Sequence, residues 1–294
     1  MSTLDARSRG TGTLFVVAAL TTLGAVILGS VVCATDSSAA CPNWPGCYPG
    51  QIGPEAHLNP VLEFVHRVVA VSTGPLLLVA ALLGLRDRNR LVRFAPWLAL
   101  VGALVAGVLG MLTVTRGISK TAAAIDLGFS LVAMIAITLA AVLVLRGPAT
   151  WRPRRAPLAW AAVGALFGFH ILSIFVAGPG SLTRCVSWPV WRQLDADGTP
   201  VLQWLRLALA AVAVVLAVFT AVRALRRRDT RMIAAVVLLL IVTELILGLT
   251  VLAGGGAGTE LKGLYAALAG AILGGLTWIA TLSSTDPEKQ LQSR

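Results

Sequence analysis

The chain has 294 residues, of which 57% are hydrophobic and 13% charged, against about half and about a quarter in soluble domains. Together with a mean hydropathy of +0.84, this excludes an ordinary soluble globular domain and leaves an integral membrane protein whose first partner is the lipid bilayer. The formal net charge of +11 raises nucleic acid as a second partner, and the placement of the charge decides that question.

Eight apolar runs reach the roughly 20 residues that span a bilayer. They predict helices over 13–34, 61–85, 93–114, 121–146, 156–178, 201–225, 231–253 and 260–282, an all-α membrane fold. Arg7 and Arg9 precede the first run, as in a signal peptide, but the run exceeds the roughly 7 to 15 apolar residues of such a segment, so it reads as a retained helix. The basic residues then fall in alternate connections: "RDRNRLVR" after the second run, "RGPATWRPRR" after the fourth, "RALRRRDTR" after the sixth, and Lys289 and Arg294 after the eighth. By the positive-inside rule both termini are expected in the cytoplasm of a bacterial cell. No basic surface is left over for nucleic acid.

The connection over 35–60 has no Lys or Arg and carries "CPNWPGC" from Cys41 to Cys47. On the outer face, where oxidation is permitted, a Cys41–Cys47 bridge would close a small loop stiffened by Pro42 and Pro45. Such a bridge reads first as a structural staple and second as a redox pair; zinc is disfavoured because no second ligand pair stands at a suitable spacing. The phrase returns as "CVSWPVW" from Cys185. Leu28 and Leu172 each stand 13 residues before their cysteine, "VLEFVHRVVAV" from Val61 meets "VLQWLRLALAAV" from Val201, and Gly110 meets Gly248. The chain therefore reads as two parallel four-helix repeats, 1–150 and 151–294, related by an axis along the membrane normal. Trp191 stands where the second copy would need its closing cysteine, so Cys185 is either free or paired with Cys33 or a partner.

Ionisable residues inside a bilayer are costly and are functional candidates. Glu63 and His66 share one helix face near the start of the second run. There a His could ligate a metal and a carboxylate could orient it or handle a proton; an interfacial cluster solvated by headgroups is the plainer alternative. Asp126 and Arg206 are expected near helix ends, within reach of headgroups by snorkelling or of an ion pair. His170 and Glu244 sit deeper and are candidates for an intramembrane polar pair. Parallel repeats with such a pair would also suit a solute transporter, although no Gly/Pro break recurs at matching mid-membrane places.

Eight helices, a "CPNWPGC" loop after the first and "LEFVHR" at the start of the second resemble the haem A synthase family of bacterial plasma and mitochondrial inner membranes. The resemblance covers nearly the whole chain. It implies a membrane enzyme that oxidises a methyl group of haem O to a formyl, with one histidine from each of helices two, four, six and eight as axial haem ligands. It implies Glu63 as the catalytic acidic residue, His66 as the helix-two ligand to the haem iron, and Cys41 with Cys47 as the loop cysteine pair. The other three histidines are absent: Asp126 and Tyr265 stand in the expected places on helices four and eight, and Arg206 faces His66 through the repeat. Arg does not ligate haem iron, Tyr can, and only three histidines exist in the chain. Haem is thus expected in the N-terminal half only, with haem O synthase or cytochrome oxidase assembly proteins as partners, or a second copy in a homo-oligomer. The alternative is a catalytically inactive paralogue acting as an assembly factor or as a subunit of a membrane transport complex.

Overall fold

In the computed structural model each apolar run forms one long helix. The structure describes residues 3–147, 150–176, 185, 200–253 and 259–286. The helices are α1 (Thr3–Ala34), α2 (Leu58–Gly84), α3 (Arg90–Arg116), α4 (Lys120–Arg146), α5 (Pro157–Val176), α6 (Pro200–Ala224), α7 (Arg231–Ala253) and α8 (Thr259–Ser284). All eight are long and apolar enough to cross a membrane. The residues Trp188, Pro189 and Trp191 of the second cysteine phrase lie outside the described residues.

Local chemistry sets several of the ends. Asn89 caps α3 by accepting from the Leu91 N–H at 2.9 Å, and Ser119 caps α4 by accepting from the Ala122 N–H at 3.2 Å. Such caps satisfy donors that a helix start leaves open. Gly147, at φ 69°, ends α4 in a conformation that favours glycine. Within the helices, buried hydroxyls such as Thr22, Ser30 and Thr277 donate to carbonyls one turn back, which satisfies them where no water is available.

Helix neighbours form two rings. Around the first, α1 meets α2, α2 meets α3, α3 meets α4 and α4 returns to α1; around the second, α5, α6, α7 and α8 meet in the same sequence, with α8 returning to α5. The rings join where α1 and α4 pack on α8 and α4 packs on α5. Each ring has its own apolar core, one built on Phe15, Leu77, Ala99 and Ile137, the other on Leu166, Ile241, Ile272 and Leu276. Small residues set the closest approaches, as expected where packing rather than water exclusion drives helix association. At Gly102 of α3 a Cβ would come within 2.8 Å of the Phe129 carbonyl of α4.

One face of the bundle carries the basic connections. There the strand β1 (Thr150–Trp151) pairs antiparallel with β2 (Thr285–Asp286), and Trp160 Nε1 donates to Ser284 Oγ at 2.9 Å. On the opposite face, Cys41 is bridged to Cys47, and Cys33 at the end of α1 is bridged to Cys185. The second bridge fixes the pairing that the sequence left open and ties the two rings together covalently.

Candidate functional site

The N-terminal site grows from the first three turns of α2. Glu63 is 4% exposed and accepts from Arg67 Nε at 2.8 Å, an i,i+4 ion pair. Arg67 then reaches out of the helix into the cysteine loop, donating to the carbonyls of Asn43 at 2.6 Å, Cys41 at 2.7 Å and Gly46 at 3.0 Å. A guanidinium suits this task because it presents several donors in a fixed plane. The loop is closed by the Cys41–Cys47 bridge and by backbone bonds from Asn43 to Cys47 and from Cys47 to Ile52. Arg67 belongs to the charged cluster that opens the second run in the sequence, but its hold on the loop was not foreseen; the signal was the Glu63–Arg67 spacing, which favours an ion pair on a helix.

His66 is half-buried and turns towards α1. A Cβ at Gly29 would stand 3.1 Å from its Cε1, so the missing side chain of Gly29 makes the room that the imidazole fills. The Ala25 carbonyl is within hydrogen-bonding reach of the ring, while Nδ1 is buried with no hydrogen-bond partner among the described residues. Asp126 is half-buried on α4, the helix diagonal to α2 in the first ring, and no hydrogen bond or ion pair joins it to His66.

The C-terminal ring carries different chemistry at a comparable depth. Arg206 stands six residues into α6 and Tyr265 six residues into α8, roughly 9 Å along each helix. Arg206 is 3% exposed, which corrects the expectation that it snorkels to the headgroups. Its Nε donates to Ser173 Oγ at 2.9 Å and its guanidinium carbon lies 5.3 Å from the centre of the Phe169 ring, so a hydroxyl and an aromatic face hold it inside the bundle. Ser173 gave no signal in the sequence. Tyr265, 1% exposed with its ring against Gly248, lies in the fields of both Glu244 and Arg206. Glu244 is 1% exposed. His170 is also 1% exposed and lies in the field of Arg206; neither of its nitrogens has a hydrogen-bond partner among the described residues, so no hydrogen bond joins it to Glu244.

The two rings therefore differ in their fit to haem. Haem iron takes its axial ligands from side chains such as His, Met, Cys or Tyr. The first ring offers an imidazole seated against Gly29 with one buried, unpartnered nitrogen, and fits one axial ligand. The second places a buried guanidinium at the position equivalent to His66, beside a carboxylate and a phenol, and does not fit the family's histidine pair. Among the described residues no group of three or more His, Cys, Asp or Glu side chains could hold a metal ion.

No family model matches the chain. Curated relatives do: it is 26% identical over 218 residues to a haem A synthase of Geobacillus kaustophilus, covering 70% of this chain and 68% of that protein. It is 25% identical over 220 residues to a haem A synthase of Exiguobacterium sibiricum, covering 70% and 73% of the two chains. A haem A synthase of Shewanella oneidensis is 28% identical over 199 residues, 58% of this chain and 57% of its own.

Proposed function

Because the chain is a distant member of the haem A synthase family, we propose that it serves haem A biosynthesis as a multi-pass bacterial membrane protein with a single haem-competent site, in the N-terminal of two four-helix repeats (1–150 and 151–294), both termini being cytoplasmic. The observation that carries this reading is His66, the one family ligand retained, with its Nδ1 buried and unpartnered beside Gly29.

His66 would hold the group from α2, and Asp126 and Tyr265 are the substitutes at two of the missing ligand positions. A haem bound there supplies the iron-centred redox chemistry that oxidation of a haem O methyl to a formyl requires. The chain's own residues bind and orient. Gly29 leaves the room in which the His66 ring sits, and Arg67 fastens the disulfide loop over the same end of α2. Glu63, the family's acidic residue, neutralises Arg67 inside the protein and is available to a proton only by giving up that ion pair. Haem O synthase, oxidase assembly proteins and a second copy of the chain are the partners this role entails.

A second reading is favoured by Arg206, which occupies a ligand position with a residue that cannot bind iron. In that reading the chain is a non-catalytic paralogue working in oxidase assembly or in a membrane transport complex. Oxidised and reduced absorption spectra of the detergent-purified protein, with a pyridine haemochrome assay, separate the two. The proposal expects a stoichiometric haem that is lost in His66→Ala and kept in Arg206→Ala. A colourless, folded preparation from haem-replete cells overturns it in favour of the second reading.

A further inference from the structure

At the basic face a groove of about 640 Å³ opens between the start of α5, the end of α6 and the end of α8. Among the described residues that line it are four arginines, Arg155, Arg223, Arg226 and Arg227, and no carboxylate. Arg227 is partly balanced by Asp229 at 3.4 Å, and Asp229 also binds Arg146. Below the arginines the walls are apolar, formed by Leu158, Phe219 and Val222, which are 43%, 48% and 46% exposed.

The groove lies at headgroup depth by an independent sign. Trp160 and Trp151 stack edge to face at 6.0 Å beside it, the position that amphipathic indoles take at a membrane surface. The first turn of α5 begins at Pro157, which has no N–H, and leaves the backbone N–H groups of Leu158 and Ala159 without an intrahelical partner at the lining. Thr220 lines the wall at 6% exposure, and its Oγ1 has no hydrogen-bond partner among the described residues. Cationic rim, polar shoulder and apolar flank repeat in order the headgroup, glycerol and acyl regions of a lipid.

We propose that this groove is a binding site for an anionic phospholipid, its phosphate between Arg223 and Arg226 and its acyl chains along Phe219 and Val222. A basic pocket between transmembrane helices suits such headgroups, and the volume is in the range of ligand sites. An inorganic phosphate would use the rim and leave the apolar flank idle.

The test measures thermal unfolding of the delipidated, detergent-solubilised protein while adding phosphatidylglycerol, phosphatidylcholine with the same chains, or inorganic phosphate. Phosphatidylglycerol alone raises the midpoint, and the Arg223→Gln/Arg226→Gln double variant weakens its apparent affinity by about thirtyfold, at roughly fivefold for each arginine. The control is Arg88→Gln/Arg90→Gln, exposed on the same face at the end of the α2–α3 connection and the start of α3, outside the groove. Equal loss in that control shows a diffuse surface attraction and overturns the site. An equal shift with phosphate makes it a soluble-anion site, and an equal shift with phosphatidylcholine removes the charge argument; either result overturns the proposal.

Discussion

The two rings have the same helix order and neighbouring depths of polar residues, yet they solve the burial of charge in opposite ways. On α2 the cation leaves the helix bundle: Arg67 meets Glu63 at the membrane edge and spends its remaining donors on loop carbonyls. On α6 the cation turns inward, to Ser173, the Phe169 ring and the neighbourhood of Glu244 and Tyr265. The difference follows from which side chain sits inside each ring. A histidine can be neutral in an apolar ring and leave a nitrogen for iron, whereas an arginine there keeps its charge and demands hydroxyl, aromatic and anionic neighbours.

The most direct way to break the comparison is to cut it in two. A protease site inserted at Gly147 severs the chain between the rings, and the Cys33–Cys185 bridge predicts that the fragments migrate together on a non-reducing gel and apart after reduction. Separation without reductant would show that the rings are not cross-linked. Next in size is Arg67→Leu, which strands the Glu63 carboxylate and frees three loop carbonyls. The expected cost is about 3–5 kcal/mol, read from thermal or denaturant unfolding, with the 41–47 loop becoming accessible to protease. Arg67→Lys should recover only part, since one ammonium cannot span the same carbonyls.

Arg206→Leu should cost less, about 2 kcal/mol, because Ser173 keeps its own bond to the Phe169 carbonyl at 2.7 Å. Its haem content, if the N-terminal reading holds, stays at the parent level. An unfolding cost as large as that of Arg67→Leu would mean that Arg206 is the main counter-charge of Glu244.

The smallest effect lies outside the membrane, at Asp229 in the α6–α7 connection. Burial there would raise its pKa, but the hydrogen bond from Arg146 and the charges of Arg227 and Arg146 outweigh burial and hold the carboxyl below the usual carboxylate range. A depressed folded pKa contributes stability that is complete above the unfolded value of about 4 and is lost as pH falls through the folded value. For so exposed a pair the amount is under about 1 kcal/mol. Unfolding of Asp229→Asn should therefore differ from the parent at pH 6 and converge with it in strong acid.

The helices were legible because a bilayer leaves the chain few choices: long apolar runs must be helical to satisfy their backbone. Apart from the start of α1, which lies ten residues before the predicted span, the helix ends differ from the sequence reading by at most three residues. His66 and Glu63 were legible through a compact motif. Arg67 was visible as a spacing, but its hold on the loop was not, because its acceptors are backbone carbonyls that lie more than twenty residues upstream and have no side-chain signature. For Arg206 the sequence left snorkelling and an ion pair both open, and burial removes the first. Its place along α6 was read correctly near the helix end, while its direction depends on Ser173 and Phe169 on another helix.

The long bridge also imposes an order of events on synthesis. Cys33 emerges 152 residues ahead of Cys185, and during that wait its nearest thiols are Cys41 and Cys47. Only if those two, six residues apart, oxidise each other first is Cys33 left single until its true partner is translocated. An oxidant that acts while the chain is still being made thus favours the native pairing, whereas one that arrives after completion meets four thiols at once and finds every pairing open. The short loop, besides roofing α2, is in this sense the timekeeper of the long cross-link.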